Sequence, residues 1–430
     1  MRSLLLTACK KPANKASRVW IAGQVLINAG LPAGTGIDVQ YHRDRKVVHI
    51  TKDETASRKV SKNGKVAACI DLQNASIEAM YADGERLQIV IMESEIIIQP
   101  HHEDTNRIAR ETQFTENKAA GKLVHGSMFT GGGISMEAIG EAMPGSRVAW
   151  IAELEEKYSS SAMAQCLCVD DETDLLSGHV EEIEGRYFTK VDVLSFSMPC
   201  AGFSTAGKSK HGKSAVEHSG TTVFGVVKAI QHSNPAVIVS ENVIEAKDNP
   251  IYLLLKAELV RLGYKIFEQT LDSKHTDSMS QRRRYWLTAI SEGIAPDELE
   301  VPEVDSRGTP LGDFLQDDVP EDAWFDNAYL NKKAETDKAA GKGFKRQLVT
   351  PESTRIGTVG RFYQKRRSTE PFLIREDGME RLLTPLEVAS CMGIPSYMIA
   401  GSSASTQYQI CGQAVDYNQP LRLMQQIMAA

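Results

Sequence analysis

The sequence predicts an α/β protein whose main part is a doubly wound parallel sheet, preceded by a small β-rich region. From Leu123 onward, short apolar runs rich in β-branched and aromatic residues alternate with amphipathic segments of helical length. Strands spaced by helices of this length pair in parallel, with helices on both faces of the sheet. Residues 1–100 lack such helices and show closely spaced strand patterns instead. The 430 residues suffice for two or three domains.

Each element of the α/β part is bounded by turn residues. The predicted strands cover residues 123–129, 148–153, 191–196, 236–241, 265–271 and 285–290. The predicted helices between them cover residues 135–142, 157–168, 222–232 and 251–262. Residues 101–122 are polar and charged, which predicts a linker or an exposed helix between the two parts of the chain.

In the N-terminal 100 residues, one order of elements is predicted twice. A strand at 19–22, helical turns at 24–29 and a hairpin of strands 37–41 and 47–51 are followed by a strand at 66–72, a helical patch and strands at 87–92 and 95–99. The stretch GQVLINAGLPAGTGIDV (residues 23–39) resembles the swapped-hairpin modules of the AbrB and SymE-like families, which bind DNA or dimerise. The alternative is a β-rich accessory domain with another purpose.

The composition, with 42% hydrophobic and 24% charged residues, is that of an ordinary globular protein. No stretch reaches the length of a membrane span, and the apolar run at residues 4–8 is too short for a signal peptide. The seven cysteines are scattered and do not form a disulfide framework, and Cys166 and Cys168 form C-x-C, which is not a zinc motif. We therefore expect a cytoplasmic protein without a bound metal.

The net charge of -7 is distributed unevenly. Residues 297–326 contain eleven acidic residues and one basic residue, whereas residues 342–367 contain eight Lys and Arg and one acidic residue. Glycines and aromatic residues interrupt the basic run, which favours a loop that follows a phosphate backbone. The alternative is a solvated charged face.

Cys200 follows the strand predicted at residues 191–196. Pro199 and Gly202 end the apolar run and leave Cys200 on a loop at the carboxyl edge of the sheet, where open α/β sheets bind ligands. A cysteine held in such a loop is a candidate nucleophile. The alternative is a small buried apolar residue.

A glycine-rich turn, FTGGG at residues 129–133, ends the first strand of the sheet and leads into a helix. Such a turn lets backbone N–H groups approach a cofactor, although a tight turn without a ligand explains it as well. Glu153 ends the second strand, where an acidic residue can accept hydrogen bonds from a ribose. Together they predict an adenosine-bearing cofactor.

Two further motifs lie at strand ends. Glu241 and Asn242 end the buried run VIVSENV, and a carboxylate there is costly to bury unless it is paired or functional. Three arginines in SQRRRYW (residues 280–286) directly precede an apolar strand and could hold phosphate, carboxylate or carbonyl groups. A loop cap and a solvated basic loop are the respective alternatives.

In this order, the motifs resemble those of the DNA cytosine-5 methyltransferases of bacteria and phages. The glycine turn resembles the cofactor motif, Pro199 and Cys200 resemble the nucleophile loop, residues 241–243 match the ENV motif, and residues 282–284 match the R-x-R motif. RLLTPLE at residues 381–387 with MGIP at 392–395 resembles the segment that organises the recognition domain, and GQAV at 412–415 resembles the terminal motif. The resemblance covers about residues 123–428.

The resemblance implies a Rossmann-like methyltransferase domain that acts on double-stranded DNA with S-adenosyl-L-methionine. Cys200 would add to carbon 6 of a flipped cytosine, and Glu241 would hold the base at N3 and at the exocyclic amine. Arg282 and Arg284 would contact O2 of the base and its surroundings. Gln281 permits a one-residue shift of the alignment, so which of the two arginines matters more stays open. The implied cofactor-binding residues are Phe129, Gly131, Gly133, Glu153, Val223, Gln413 and Val415.

The resemblance also implies a domain organisation. Residues 1–100 would be the accessory domain, 101–122 a linker, 123–290 the catalytic domain, 291–380 an inserted target-recognition region and 381–430 a segment that returns to the catalytic domain. Departures from the family pattern are His179 after Gly178, the loop Cys-Ala-Gly-Phe-Ser instead of Cys-Gln-Pro-Phe-Ser, and Gln413 where asparagine is usual.

Three functions remain open at this point. The first is DNA cytosine-5 methylation, in a restriction–modification system or by a solitary or phage-borne enzyme. The second is cytosine-5 methylation of RNA such as tRNA, because the same chemistry serves both substrates. The third is a DNA-binding regulator that has lost catalysis. A homodimer formed through residues 1–100 is a further expectation.

Overall fold

The computed structural model describes residues 2–12, 15–199, 220–341 and 346–430. The chain divides into two compact units, Met1–Ala109 and Arg110–Ala430. Within the described ranges, no helix is long and apolar enough to cross a membrane. The same ranges contain no cluster of three or more His, Cys, Asp or Glu side chains that could hold a metal ion.

The first unit consists of two antiparallel sheets and two short helices. One sheet has the order β1-β7-β8-β4-β3 and the other has the order β2-β6-β5. The elements are β1 Ser3–Ala8, β2 Arg18–Ala22, α1 Gln24–Asn28, β3 Ile37–His42, β4 Val47–Lys52, β5 Ser61–Asn63, β6 Val66–Gln73, α2 Ala75–Met80, β7 Arg86–Met92 and β8 Glu95–Pro100.

The order strand, helix, hairpin occurs twice in this unit, as the sequence predicts. Strand β2, helix α1 and hairpin β3–β4 are repeated as β6, α2 and β7–β8. Equivalent strands pair with each other, β2 with β6 and β4 with β8, both antiparallel. Alternating residues such as Val48, Ile50, Ile96 and Ile98 fill the common core. Each of the two sheets therefore contains strands from both halves, and both halves belong to the same chain.

Helix α3, His102–Ala120, occupies the segment that was predicted as a linker or an exposed helix. Its second half is fastened to the second unit through Arg110, which is buried. The Arg110 guanidinium donates to the carbonyl of Leu262 (2.8 Å) and lies 3.8 Å from the ring centre of Tyr264. From residue 110 onward the segment is thus part of the second unit.

The second unit is built on a seven-stranded sheet with the order β11-β10-β9-β12-β13-β15-β14. Its elements are β9 Val124–Met128, α4 Ile134–Glu141, β10 Arg147–Glu153, α5 Glu156–Gln165, β11 Asp174–Ser177, β12 Val193–Phe196, α6 Thr222–Ser233, β13 Val237–Asn242, α7 Pro250–Arg261, β14 Tyr264–Leu271, α8 Ser273–Thr276 and β15 Arg284–Ser291.

The prediction of an all-parallel sheet is wrong for one strand. Strands β9 to β13 pair in parallel, but β15 is antiparallel to both of its neighbours, β13 and β14. A parallel neighbour needs a crossover connection, whereas the chain between β14 and β15 contains only the four-residue helix α8 and turns back. The sheet is therefore mixed, and the α/β doubly wound architecture is confirmed.

This topology gathers strand ends at one edge. The carboxyl ends of the parallel strands and the amino end of β15 lie at the same edge of the sheet, because β15 runs in the opposite direction. Apolar cores cover both faces, one around Trp150 and Leu194 and the other around Val239 and Trp286. The polar groups at the edge are thereby held on a rigid base.

The rest of the second unit contains a small sheet, β16-β17-β18, and four further helices. The Arg381 guanidinium holds the buried Glu387 carboxylate by two hydrogen bonds (2.6 and 2.8 Å), and Thr384 caps the helix that bears Glu387. Helix α12 packs against α4 in the core on one face of the large sheet. The elements are α9 Ala328–Ala339, β16 Gln347–Val349, β17 Pro371–Ile374, β18 Glu380–Arg381, α10 Pro385–Cys391, α11 Ala404–Gln413 and α12 Asn418–Ala429.

Candidate active site

Glu241 is the centre of a charged cluster at the carboxyl edge of the sheet. The register pairs Asn242 of β13 with Tyr285 of β15, which places Arg284 next to the end of β13. Arg284 Nε lies 2.8 Å from Glu241 Oε1, and Ser197 Oγ donates to Glu241 Oε2 at 2.6 Å. The Glu241 side chain is only 11% exposed. A carboxylate buried this far needs such partners, and here both of its oxygens are held.

Asn242, the next residue, fastens the chain that leads to the predicted nucleophile. Its Nδ2 donates to the carbonyl oxygen of Met198 (2.9 Å) and to the hydroxyl of Tyr252 (3.1 Å). Met198 is two residues before Cys200. Cys200 itself and residues 201–219 lie outside the described residues. They include Lys208, Lys210 and Lys213, which the sequence predicts to lie on a loop that could close over the DNA backbone. The described part of the chain is therefore held in place at Met198, directly before the loop that carries the predicted nucleophile.

Arg282 and Arg284 lie in different surroundings. The sequence leaves open which of the two makes the more important contact to the base. Arg282 is buried, and its guanidinium donates to the carbonyl oxygens of Val359 (3.1 Å) and Gly412 (3.2 Å). It joins the segment around Val359 to the C-terminal segment that contains Gly412, while Arg284 faces Glu241. The structure therefore brings Glu241 and Arg284 together and places Arg282 in contact with the backbone behind them.

The glycine turn and Glu153, for which the sequence predicts a shared cofactor, are in direct contact. Phe129, Gly131 and Gly133 have φ values of 52°, 54° and 83°, in the left-handed region that favours glycine. The Gly131 N–H donates to Glu153 Oε2 (2.8 Å), and the Glu155 N–H donates to Glu153 Oε1 (2.9 Å). A side chain at Gly133 would place its Cβ 2.3 Å from Cys166 Sγ, so glycine is required there.

These residues fit an adenosine-bearing cofactor. Each oxygen of the buried Glu153 carboxylate accepts one backbone N–H, and each has a second lone pair that can accept a ribose hydroxyl. A Cβ at Gly131 would meet no atom within 4 Å, so the space above this turn is open among the described residues. Helix α4 begins directly after the turn and directs its N-terminus to the same edge.

The other three predicted cofactor residues have different surroundings. Val223, at the start of α6, is buried in the core that also contains Phe196 and contacts Phe129. Gln413 ends α11 and is exposed. The Val415 side chain is buried in the opposite core, beside Ile139 and Val239, so a contact of Val415 with a ligand would have to involve its backbone.

Two functional candidates were missed by sequence reasoning. Ser197 was not singled out, although a hydroxyl one residue beyond a central strand is a signal for this edge. The second is an ion pair between Arg361 and Glu155: Arg361 Nη2 donates to both Glu155 oxygens at 2.8 and 3.1 Å. This pair joins residues 206 positions apart in sequence, which no local pattern reveals, and it holds the segment around Arg361 against the loop that follows Glu153.

The basic run at residues 342–367 is only partly available for phosphate contacts. Arg346 forms a buried ion pair with Glu380, and Arg355 Nη1 donates to the Ser278 carbonyl (2.9 Å). Residues 342–345 lie outside the described ranges. The exposed cations of the run are Lys365, Arg366 and Arg367.

Asp416, which follows Val415, is fully buried next to this site. Burial raises the pKa of its carboxyl to about 7, and the hydrogen bond from Ser278 and the nearby Arg282 charge oppose this rise. Its Oδ1 accepts the Asn418 N–H at 3.0 Å. The charge of this carboxyl therefore depends on its burial and on the nearby Arg282 guanidinium.

Comparison with known proteins agrees with the motifs. The profile of the family C-5 cytosine-specific DNA methylase matches residues 127–429. Type II methyltransferase M.NlaX of Neisseria lactamica is 29% identical over 229 residues, which is 51% of this chain and 70% of the relative. Type II methyltransferase M.MspI of Moraxella sp is 26% identical over 261 residues, which is 59% of this chain and 60% of the relative.

Solved structures confirm the Rossmann-like methyltransferase fold. The S. pombe Dnmt2 methyltransferase matches with a TM-score of 0.56 at 14% identity, over 72% of this chain and 98% of that chain. The Entamoeba histolytica methyltransferase EhMeth matches with a TM-score of 0.58 at 15% identity, over the same shares. At these identities the likeness concerns the fold alone. The profile match over most of the second unit shows that the chain belongs to the C-5 cytosine-specific DNA methylase family, as its ordered motifs predict.

Proposed function

We propose that this protein methylates carbon 5 of a cytosine that is flipped out of double-stranded DNA, with Cys200 as the nucleophile. The family match and the two type II methyltransferase relatives support DNA as the substrate and a role in restriction–modification or as a solitary or phage-borne enzyme. The observation that carries the proposal is the Glu241–Arg284–Ser197 cluster beside the anchored approach to Cys200.

The chemistry requires a nucleophile because carbon 5 of cytosine is itself only weakly nucleophilic. The Cys200 thiolate forms a bond to carbon 6, and the displaced electron pair makes carbon 5 reactive. S-adenosyl-L-methionine, when bound, would supply the electrophilic methyl group, and S-adenosyl-L-homocysteine would leave as carbon 5 takes that group. Loss of the carbon 5 proton then re-forms the 5,6 double bond and expels the Cys200 thiolate, so the enzyme is regenerated.

Glu241 and Arg284 hold the base during these steps. Glu241 contacts N3 and the exocyclic amine, and its position is set by Ser197 and by Arg284 Nε. The Arg284 guanidinium donates to O2 of the base, where negative charge develops. Arg282 acts as a positioning residue, because its contacts are to the backbone of the recognition region and of the terminal segment.

For the cofactor, Glu153 accepts the ribose hydroxyls, and the turn with Phe129, Gly131 and Gly133 lets the backbone approach the ligand. Val223 supplies apolar contact near Phe129. The terminal motif adds the Gln413 side chain, which is exposed at the end of α11, and the Val415 backbone.

We extend the proposal to the partners. Duplex DNA is the substrate, and Lys365, Arg366 and Arg367 offer exposed charge to its phosphates. We also propose a cytoplasmic location, because the two type II methyltransferase relatives come from bacteria, in which the DNA lies in the cytoplasm. A second copy associates through β1, because the internal pairing of the repeated halves leaves this edge strand with exposed Leu4 and Leu6.

Transfer of labelled methyl groups tests the function. Wild-type protein should label duplex DNA and not tRNA, and Cys200→Ser should abolish labelling while cofactor binding is retained. Label found only in tRNA would contradict DNA as the substrate. Duplex DNA that contains 5-fluorocytosine should trap a covalent adduct that depends on Cys200, and failure of an otherwise folded wild type to do so would favour the catalytically inactive regulator. Bisulfite sequencing of DNA from expressing cells then reports the target sequence.

A further inference from the structure

The first unit differs in charge from the rest of the chain. Residues 1–109 carry 15 Lys and Arg and 12 Asp and Glu, whereas the other residues carry 34 and 44. Within the first unit the charge is concentrated in the segment RKVSKNGK, residues 58–65, which has four cations and no acid. From residue 55 to residue 70 the chain contains no acidic residue at all.

This segment is an exposed hairpin on a fixed base. Strand β5 pairs with β6, and Gly64 (φ 57°) forms the tip between Lys62 and Lys65. At the base, the buried Val60 donates its N–H to the Thr35 carbonyl (2.9 Å) and accepts at its carbonyl from the Gly34 N–H (2.8 Å). Apart from Val60, every residue from 57 to 65 is exposed. The lysines thus project from backbone that is already ordered.

The lysines of this hairpin differ from the cations of the neighbouring turn. In the β3–β4 turn, Arg43 donates to Ser76 Oγ, Arg45 lies 3.8 Å from Asp44, and Lys46 lies 3.1 Å from Glu85. Across the described ranges, no carboxylate lies within ion-pair distance of Lys59, Lys62 or Lys65.

The acidic residues that are nearest in sequence to this hairpin also have other partners. Glu54 pairs with Lys52 at 2.9 Å, and the Asp53 carboxylate accepts from the N–H and hydroxyl of Thr55. Asp71, on the adjoining strand β6, is paired with Arg18 at 2.9 Å. The positive charge of the hairpin is therefore not neutralised within the first unit.

We propose that this hairpin, with Lys59, Lys62 and Lys65, is a second DNA-binding surface that contacts the phosphates of duplex DNA outside the methyltransferase unit. Lysine ammonium groups bind phosphates as point charges and carry no sequence information, so the surface adds affinity to any duplex. Duplex DNA is the polyanion that the family acts on, and the remainder of the chain is net acidic, which makes added cationic contacts useful.

The test uses the full chain and a duplex that contains only A·T pairs. Such a duplex offers phosphates but no cytosine, so binding is read without the reaction. The dissociation constant is measured between 50 and 200 mM salt for wild type and for the triple variant Lys59→Gln, Lys62→Gln, Lys65→Gln. Each phosphate contact that is lost lowers the salt slope by about 0.9, so the triple variant should lose about 2.7.

Two controls match the variant. Lys59→Arg, Lys62→Arg, Lys65→Arg keeps the charge and should keep the slope. Single variants Lys62→Gln and Arg45→Gln remove equal charge, but only Lys62→Gln should lower the slope. An unchanged slope in the triple glutamine variant, or equal losses in the two single variants, overturns the proposal.

Methyl transfer separates this proposal from the proposed function. The turnover number of the triple variant at saturating cytosine-containing DNA should equal that of wild type, because these lysines are outside the catalytic machinery. If wild type transfers no methyl group, the proposed function fails, and the salt slopes still decide the role of the hairpin.

Discussion

Arg282 and Arg284 are two residues apart and have different surroundings, so the same substitution should have different effects. Arg282→Lys removes the planar guanidinium that bridges the Val359 and Gly412 carbonyls and leaves buried acceptors unpaired. We expect a loss of about 2–4 kcal/mol in the free energy of unfolding, measured with urea. Arg284→Lys should change stability by less than about 1 kcal/mol and lower the rate of methyl transfer about 10²–10³-fold.

Single-turnover methyl transfer at saturating DNA is the matching activity measurement for both variants. A large fall in the Arg282→Lys rate without any loss of stability would show that Arg282, and not only Arg284, touches the base. This outcome would restore the symmetric role that the resemblance implies for the two arginines.

Asp416 makes the stability of the protein depend on pH. Burial raises the pKa of the Asp416 carboxyl to about 7 in the folded state, compared with about 3.9 in an unfolded chain. As the pH rises from 4 to 7, the unfolded chain therefore releases this proton first, and the free energy of unfolding falls. Asp416→Asn removes this effect, so the difference in stability between variant and wild type should grow with pH over this range.

Urea unfolding at pH 4.5, 5.5, 6.5 and 7.5 measures that difference. Asp297→Asn, at a fully exposed position, serves as the control. Its free energy of unfolding should change with pH in the same way as that of wild type. If the Asp416→Asn curve also runs parallel to wild type, the carboxyl is ionised in the folded protein throughout.

At the scale of elements, β18 is held by a buried ion pair. Arg346 and Glu380 have side chains that are 5% and 1% exposed, and Asn327 Nδ2 donates to the same carboxylate at 2.6 Å. Arg346→Met leaves the Glu380 charge buried without its partner, and we expect a loss of about 3–5 kcal/mol in the free energy of unfolding.

The double variant Arg346→Met, Glu380→Met separates the pair from simple packing. Removing both charges should recover a substantial part of the loss, because no unpaired charge remains. Urea unfolding of both variants measures this. A double variant that is less stable than Arg346→Met alone would mean that Glu380 has a stabilising role of its own.

The strands also show which features of the fold can be predicted from the sequence. Periodicity predicts most strands within one or two residues, since strands such as β10 and β13 are continuous apolar runs. It missed β11, whose residues are mostly exposed, because an edge strand of that kind has no apolar pattern. It also missed the direction of β15, because direction depends on the connection and not on the strand itself.

The site shows the same division. Glu153, Gly131, Glu241 and Arg284 could be predicted because each lies directly at a strand end, and parallel strand ends share an edge. The burial of Arg282 and the ion pair of Arg361 with Glu155 could not be predicted, because they depend on segments distant in sequence that pack together only in the folded chain.

At the scale of the whole molecule, the repeated halves of the first unit bear on its oligomeric state. Strand pairing between the two halves takes place within one chain, so association of two copies by strand pairing would use an exposed edge. Leu4 and Leu6 of β1 are 57% and 63% exposed on that edge. We expect a dimer that Leu4→Lys, Leu6→Lys converts to a monomer, because charges on an edge strand oppose pairing with another chain.

Sedimentation equilibrium of the full chain measures this. Leu254→Lys, at an exposed leucine of the second unit, is the control and should leave the dimer intact. A wild type that sediments as a monomer at all concentrations would exclude association through β1.

The adjacency of Glu241 and Asn242 has a consequence for how the reaction geometry is kept. Successive side chains of a strand point to opposite sides, so Glu241 faces Ser197 and Arg284 while Asn242 holds the Met198 carbonyl. The offset between the two is then the rise of a single residue, about 3.3 Å, fixed by covalent bonds. Bending of the sheet moves both side chains together, so the anchor on Met198 keeps its place relative to the Glu241 carboxylate.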